Sequence, residues 1–300
     1  MFNSFDSIEQ YLSEKGIRKT IVLAGSNDDR ALEAIVRAHD KCFVDAVLVG
    51  SEAETRKLLA LLGAREDDYT IVDVGSENRA ARKAIAAVES GEADFPMKGL
   101  MQTATFLMAL QCSTLCEEGA LLNEATVFHY ADQDRMVVAG DCAVNVAPSL
   151  EQKAGITKNL IGAARALGAD PVRVAALSVI ENPTPTIPSS MEAHELAGMD
   201  WGEDVVVEGP LALDNVLDAE AAKHKGIESE VAGRADVIVM PDIHAGNVFH
   251  KCVHFFGHYS YASGLLGAKI PVVMNSRTDD IESKYNSILI AILQSMLEVR

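Results

Sequence analysis

The feature that most constrains this chain is the alternation of short β-rich runs and helical segments through its N-terminal third. Thr20-Ile-Val-Leu-Ala-Gly25 reads as a strand ended by a glycine, and residues 28–40 as a helix. Ala46-Val-Leu-Val-Gly50 is the next strand, followed by a helix over 51–62, where Ser51 and Glu54 have capping-box spacing. Ile71–Val74 is a third strand and 77–90 a third helix. Parallel strands joined by crossover helices are the economical solution for such a rhythm, so a parallel sheet covered by helices on both faces is expected.

The texture then changes. Phe95-Pro96-Met97 reads as a strand end, and a helix follows over Gln102–Gln111. Residues 126–130 and 135–139 read as a hairpin across Ala-Asp-Gln-Asp. A helix spans 149–167, opened by Pro148-Ser149 and closed by Gly168. A strand follows at Val172–Ser178, and the proline-rich stretch Asn182–Pro188 is loop. Later strands are expected at 204–208, 236–240 and 271–274, and a last helix at 280–297, apolar at Ile281, Ile288, Ile292 and Met296. Two α/β lobes follow from this pattern. The first comprises 1–122 plus 276–300 and the second 123–275, with the active-site cleft expected between them.

Composition narrows the partners. The chain has 300 residues, 48% of them apolar and only 5% aromatic, and a formal charge of −18. Such a surface disfavours nucleic acid and anionic membrane as partners. An anionic substrate would need Lys and Arg gathered locally against that field. The opening residues lack a basic region followed by an apolar one, so no signal peptide is expected. No apolar run reaches the length of a membrane span. The five cysteines are scattered without a CxxC pair, which fits reduced thiols in a cytoplasmic protein. Cys112 and Cys116, one helical turn apart, are expected as core thiols.

Three strand-to-helix junctions carry residues suited to anions. Strand 236–240 leads to a loop with Ala245-Gly246-Asn247 and then a helix. Free backbone N–H groups and the helix dipole favour negative charge there, and Lys251 lies one turn beyond Asn247. Pro271–Met274 leads through Asn275-Ser276-Arg277-Thr278 into the last helix. Arg277 can grip a phosphoryl or carboxylate oxygen in two-pronged fashion, and Ser276 can donate to an oxygen that gains charge. Asp279 with Glu282 has capping-box spacing, and Asp280 reads as a first-turn acid. Lys98-Gly99, between a strand end and a helix, makes a third junction, this one with an added cation. A structural role alone would also explain each of these: a tight turn at Gly246, a solvated Lys251, a helix cap at Asp279. His250, His254 and His258 are spaced by four and would stack on one helix, but no carboxylate sits at ligand spacing, so a partly buried or interface stripe is expected rather than a metal site. There is no GxSxG, Walker loop or GxGxxG.

Several long segments in order are more specific than any of these motifs. They are MKGLMQTATFL at 97–107, GDCAVNVAPSLEQKAGI at 140–156, EGPLALDN at 208–215, HKGIESEVAGRADVIVMPDIHAGNVFHK at 224–251 and GLLGAKIPVVMNSRTDDIESKYNSI at 264–288. Through them the chain resembles the phosphate acetyl/butyryltransferase family, and its butyryl branch most of all. The resemblance implies a two-lobed α/β fold of the isocitrate/isopropylmalate dehydrogenase type, a homodimer or higher homo-oligomer, and reversible transfer of a short acyl group between coenzyme A and inorganic phosphate. It implies direct attack in a ternary complex, with CoA as substrate, no tightly bound cofactor and no metal. Ser276 and Arg277 correspond to the family's reacting pair; Gly246, Asn247, Lys251, Lys98, Gly99 and Asn275 correspond to substrate-binding positions. A carboxylate, Asp280 in preference to Asp279, is expected to accept the thiol proton. The spacing from Ser-Arg to that acid is shorter here than in acetyl-specific relatives, and the 181–190 loop, ENPTPTIPSS, also departs from the family's pattern. Acetyl preference, or a non-catalytic acyl-CoA-binding protein on the same fold, are the alternatives. A metal- and NAD-dependent dehydrogenase would need an acidic ligand cluster and a dinucleotide site, and neither is evident.

Overall fold

A computed structural model describes residues 1–296. The elements in chain order are α1 (Phe5–Lys15), β1 (Lys19–Ala24), α2 (Asp29–Asp40), β2 (Val44–Gly50), α3 (Glu52–Leu61), β3 (Thr70–Asp73), α4 (Glu77–Glu89), β4 (Phe95–Lys98) and α5 (Thr103–Gln111). Then come β5 (Asn123–Tyr130), β6 (Arg135–Gly140), α6 (Leu150–Ala166), β7 (Val172–Leu177), α7 (Pro188–Ala197), β8 (Val205–Leu211), α8 (Leu213–Leu217), α9 (Ala219–His224) and β9 (Val237–Val239). The chain closes with α10 (Ile243–Phe255), β10 (Tyr261–Leu266), β11 (Val272–Val273) and α11 (Ile281–Ser295). The expected end of the last helix at 297 lies outside the described residues.

Two compact units divide the chain. One is formed by residues 5–120 together with the chain from 262 onward; the other by 1–4 and 121–261. Segment 262–275, which the sequence reading assigns to the second lobe, belongs with the first. The reason is strand pairing: β10 runs antiparallel to β11, and β11 is parallel to β4 at Val273 and Met97.

In the first unit the strand order is β3-β2-β1-β4-β11-β10, parallel except for β10. The central strands are buried nearly throughout, which is why Ile21-Val-Leu-Ala24 and Ala46-Val-Leu-Val49 read as continuous apolar runs rather than alternating ones. The path steps from β1 out to β2 and β3, then returns to β4 on the other side of β1. Right-handed crossovers therefore place α2 and α4 on opposite faces. The reversal between β1 and β4 opens a crevice at the carboxyl ends of those strands, where open α/β sheets bind ligands. The loops meet closely there. Gly99 N–H donates to Ala24 C=O at 2.8 Å and Leu100 N–H to Gly25 C=O at 3.1 Å. A Cβ on Gly99 would lie 2.3 Å from Gly25 O, and Gly25 itself has φ +83°. Glycine at both positions is a steric requirement.

Caps fix the helix starts. Asp28, Ser51, Ser76 and Ser149 each accept a backbone N–H from the first turn of α2, α3, α4 and α6, and at α6 Gln152 completes a reciprocal box. Helix α11 is tied to α1 and α2 by an aromatic and ionic knot. Arg37 lies 3.9 Å above the Tyr285 ring and pairs with Glu282, while Tyr285 Oη donates to Glu9 at 2.7 Å.

In the second unit the order is β5-β6-β9-β7-β8, with the β5–β6 hairpin where expected and the rest parallel. Its core gathers Phe128, Val137, Ala175, Val216, Ile238 and Val253. The loop reading of 182–188 stops at Pro188, which is the first residue of α7, a place that suits its missing N–H.

Two glycines give opposite expectations for stability. Gly99→Ala forces a methyl against a backbone oxygen and is expected to cost about 1–3 kcal/mol in a urea titration. Gly162, exposed within α6 with open space around its would-be Cβ, is expected to gain roughly 0.5–1 kcal/mol on substitution by Ala.

Candidate active site

The sequence-predicted residues fall into two groups, one in each unit. In the first unit, Lys98 ends β4 and Gly99 follows it, and Asn275–Asp280 lie between β11 and α11. These junctions flank the crevice beside β1, so three strand ends supply one site.

The Asn275–Asp280 turn is held from within. Asn275 is buried, and its Nδ2 donates to Asp279 Oδ2 at 3.3 Å and to Ser287 Oγ at 3.1 Å. Ser276 N–H donates to the same Asp279 oxygen at 2.8 Å. Arg30, from α2, donates to the carbonyls of Thr278 and Asp279 at 3.0 and 3.3 Å. The outcome is a rigid turn that leaves the side chains of Ser276 and Arg277 exposed. Ser276 Oγ lies 3.1 Å from Thr278 Oγ1.

Neither acid has the structural role expected of it. Asp280, not Asp279, caps α11, accepting from Ser283 N at 2.8 Å and Ser283 Oγ at 2.6 Å, both on Oδ1. Asp279 is 1% exposed and belongs to the turn. The capping-box pairing of Asp279 with Glu282 therefore does not form: the helix begins one residue later than that spacing implies. Occupation of Asp279 as a cap is thus no ground for preferring Asp280. The surviving ground is access, because Asp280 is exposed and Asp279 is not.

Beneath this turn lies a cluster of buried charge. Lys98 is 3% and Lys284 1% exposed. Lys98 Nζ faces the carbonyls of Gly99 and Met101 at 3.3 and 3.5 Å. Burial pushes its ammonium down to about 8; Lys284 and Arg277 press the same way, while Asp28 and Asp279 oppose. Keeping that charge buried costs stability below about pH 8. The cost is relieved as pH rises toward 10.5, because the unfolded chain holds its proton longer. Lys284 Nζ donates to Ser276 C=O at 3.2 Å and sits 3.9 Å from Asp28 Oδ2.

Asp28, Arg30 and Lys284, which the sequence reading does not single out, pack against this turn and around Lys98. A signal for Lys284 was present: it falls at helical spacing between Ile281 and Ile288, on the apolar stripe of α11. A cation in a buried stripe calls for a partner.

In the second unit, Gly246 and Asn247 lie within α10 rather than in a loop before it, and Lys251 lies on the same helix, as expected. Asp242 caps the helix through Ala245 N at 2.9 Å, so the helix starts before Gly246. Gly246 packs against the loop after β6, where a Cβ would meet Asp141 O at 2.2 Å. Asp141 organises that loop by accepting the N–H groups of Ala143, Val144 and Asn145 at 2.7–3.0 Å. Asn247 Nδ2 reaches Cys142 C=O at 3.4 Å. The histidine stripe is broken. His250 is buried in α10 against Thr126 Oγ1 at 2.8 Å, but His258 lies past the helix end with φ +52°. Cys112 is exposed, not a core thiol as its spacing suggests.

The comparisons with known proteins agree with this architecture. The family model described as phosphate acetyl/butaryl transferase matches residues 76–292. Phosphate butyryltransferase of Clostridium acetobutylicum is 37% identical over 98% of both chains. Phosphate acetyltransferase of Thermotoga maritima is 35% identical over 92% of this chain and 95% of its own. Among solved structures, a branched-chain phosphotransacylase from Enterococcus faecalis superposes with a TM-score of 0.83 at 28% identity, covering 92% of this chain and 99% of that one. The α/β class is the one expected, of the isocitrate/isopropylmalate dehydrogenase type. The chain belongs to the phosphate acetyl/butyryl transferase family and is an acyltransferase enzyme.

The cap assignment has a direct check. Asp280→Ala is expected to cost about 1 kcal/mol in thermal or urea unfolding, whereas Asp280→Asn, an equally good cap, leaves stability within a few tenths of a kcal/mol.

Proposed function

We propose that the enzyme transfers a butyryl-sized acyl group reversibly between coenzyme A and inorganic phosphate by direct attack, with the reacting centre at Ser276 and Arg277. The observation that supports this reading is that Arg277, next to Ser276 in the turn after β11, is close enough to act electrostatically on Lys98 at the end of β4, in a chain of formal charge −18. A protein so acidic gathers cations in one place when an anion is to be held there.

In the direction of CoA acylation, the thiol sulfur attacks the carbonyl carbon of the acyl phosphate. Its proton passes to a carboxylate, the tetrahedral oxygen takes the developing charge, and the carbon–oxygen bond to phosphate breaks. Arg277 and Lys98 hold the phosphate oxygens, and Ser276 donates to the oxyanion. Asp280 is the proton acceptor in this scheme. Its Oδ1 accepts the two cap bonds, the residue is exposed, and Oδ2 is the oxygen assigned to take the proton. Asn275 and Asp279 hold the turn, and Gly99 allows the close approach of the β1 and β4 loops. Gly246, Asn247 and Lys251 are assigned to substrate binding at the start of α10, with Lys251 as a further cation for an anionic group.

Chain length is the finer question. Clostridium acetobutylicum phosphate butyryltransferase and Thermotoga maritima phosphate acetyltransferase match at nearly equal identity, which keeps acetyl transfer as the second reading. Each methylene is worth only about 1–3 kcal/mol of discrimination, so a few pocket contacts decide it.

Release of free thiol from acetyl-, propionyl- and butyryl-CoA in turn, with and without phosphate, tests the reading. Phosphate-dependent release fastest with butyryl-CoA is expected; no such release from any of them would overturn it. Asp280→Asn keeps the cap and removes the base, so kcat/KM should fall roughly 10²- to 10⁴-fold with folding intact. Phosphate dependence should weaken as pH rises through about 8, where Lys98 loses its charge.

A further inference from the structure

Lys284 and Asp28 touch none of the groups assigned to substrate through their own side-chain tips, yet both are buried at the centre of the site. The Lys284 side chain is 1% exposed and that of Asp28 8%. Burying an ion pair costs desolvation on both sides and often gains nothing over apolar residues of equal size. Lys284 is the one charged group among the described buried side chains of this helix, beside Ile281 and Ile288 and the neutral polar Ser283, Asn286 and Ser287. A charge retained there needs a reason other than packing.

Its contacts suggest one. Lys284 Nζ donates to the carbonyl of Ser276 at 3.2 Å, fixing the peptide that carries Arg277. The same Nζ sits 3.9 Å from Asp28 Oδ2, while Asp28 Oδ1 caps α2 through Ala31 N at 2.9 Å. One carboxylate and one ammonium thus connect the junction after β1 to the junction after β11. Lys98, at the end of β4 between them, feels both. The charged groups that face it are Lys284, Asp28, Arg277 and Asp279.

We propose that Lys284 and Asp28 are positioning residues of the acyl-transfer site, holding the Ser276–Arg277 turn in register with the β1 and β4 junctions and balancing the charge around Lys98. The proposal rests on the functional reading above, in which Lys98 and Arg277 hold phosphate. It makes the two residues act with opposite sign on a third. Asp28 favours the charged form of Lys98, and Lys284 opposes it.

The test is the pH dependence of kcat/KM for phosphate, followed as CoA release from butyryl-CoA, for the full-length enzyme and the variants Asp28→Asn and Lys284→Met. Asn caps a helix as well as Asp does, so Asp28→Asn removes charge and leaves the α2 cap in place. The alkaline limb, set by Lys98 near pH 8 in the unmodified enzyme, should move to lower pH in Asp28→Asn and to higher pH in Lys284→Met. At neutral pH, Lys284→Met should also lose roughly 10- to 100-fold in kcat/KM, the size of one charge-assisted hydrogen bond. A purely structural pair would lower the folded fraction in thermal melts and leave the limb in place, or move it the same way in both variants; either result overturns the proposal. If Lys284→Met does not fold, an unmoved limb in Asp28→Asn alone overturns it. Absence of phosphate-dependent turnover in the unmodified enzyme would instead overturn the functional reading. In that case calorimetric titration with inorganic phosphate across the same pH range decides the pairing, with the same opposed shifts expected in its binding midpoint.

Discussion

The site depends on one contact between backbones: the approach of Gly99 to Gly25 where β1 and β4 part. The 2.3 Å that would separate a Cβ on Gly99 from Gly25 O leaves no room for any side chain. Only because these loops touch can Lys98, ending β4, lie among charges supplied from α2 and α11. The crevice is a product of strand order, since helices leave β1 and β4 toward opposite faces. Glycine turns that crevice into a seam narrow enough for one buried ammonium to be felt by Asp28, Lys284, Arg277 and Asp279 together.

Charge is handled differently at the surface and in the site. The chain as a whole is strongly acidic, and its surface pairs such as Arg18–Asp45 and Arg165–Asp204 are solvated contacts of small worth. In the crevice, cations are brought together against their mutual repulsion and are only partly offset by Asp28 and Asp279. In the proposed mechanism, an arriving phosphate relieves that repulsion. Preorganisation of this kind lets a site stabilise a transition state without rearranging during the reaction.

Much of this was legible in the sequence, and the failures have physical causes. Unbroken apolar runs such as Thr20–Gly25 announced buried parallel strands, and Ser51 and Ser149 announced helix starts through their hydroxyls. β10 was missed because Tyr-Ala-Ser-Gly-Leu-Leu has no β-branched residue and carries a central glycine. The reading of Asp279 as the cap failed by one residue, since capping depends on where the turn before the helix closes, and that turn closes on Asp279 itself. Ser276 and Arg277 stood out as local motif residues. Lys284 carries a local sign, a cation at helical spacing between Ile281 and Ile288, but its partner Asp28 lies in a distant segment and looks ordinary beside its own neighbours, so the pairing could not be read.

The pairing of β11 with β4 has a consequence for how the enzyme comes into being. Met97 and Val273 are neighbours in the sheet, but nearly all of the other compact unit, residues 121–261, lies between them in the chain. The first unit can build β1 to β4 early, from contacts of short sequence separation. It cannot close its sheet, or place Ser276 and Arg277, until β11 returns. Long-range closure of this kind is the slow part of folding. During biosynthesis, β4 must therefore wait as an open edge while the second unit forms. Catalytic competence arrives last, with the segment that completes the sheet.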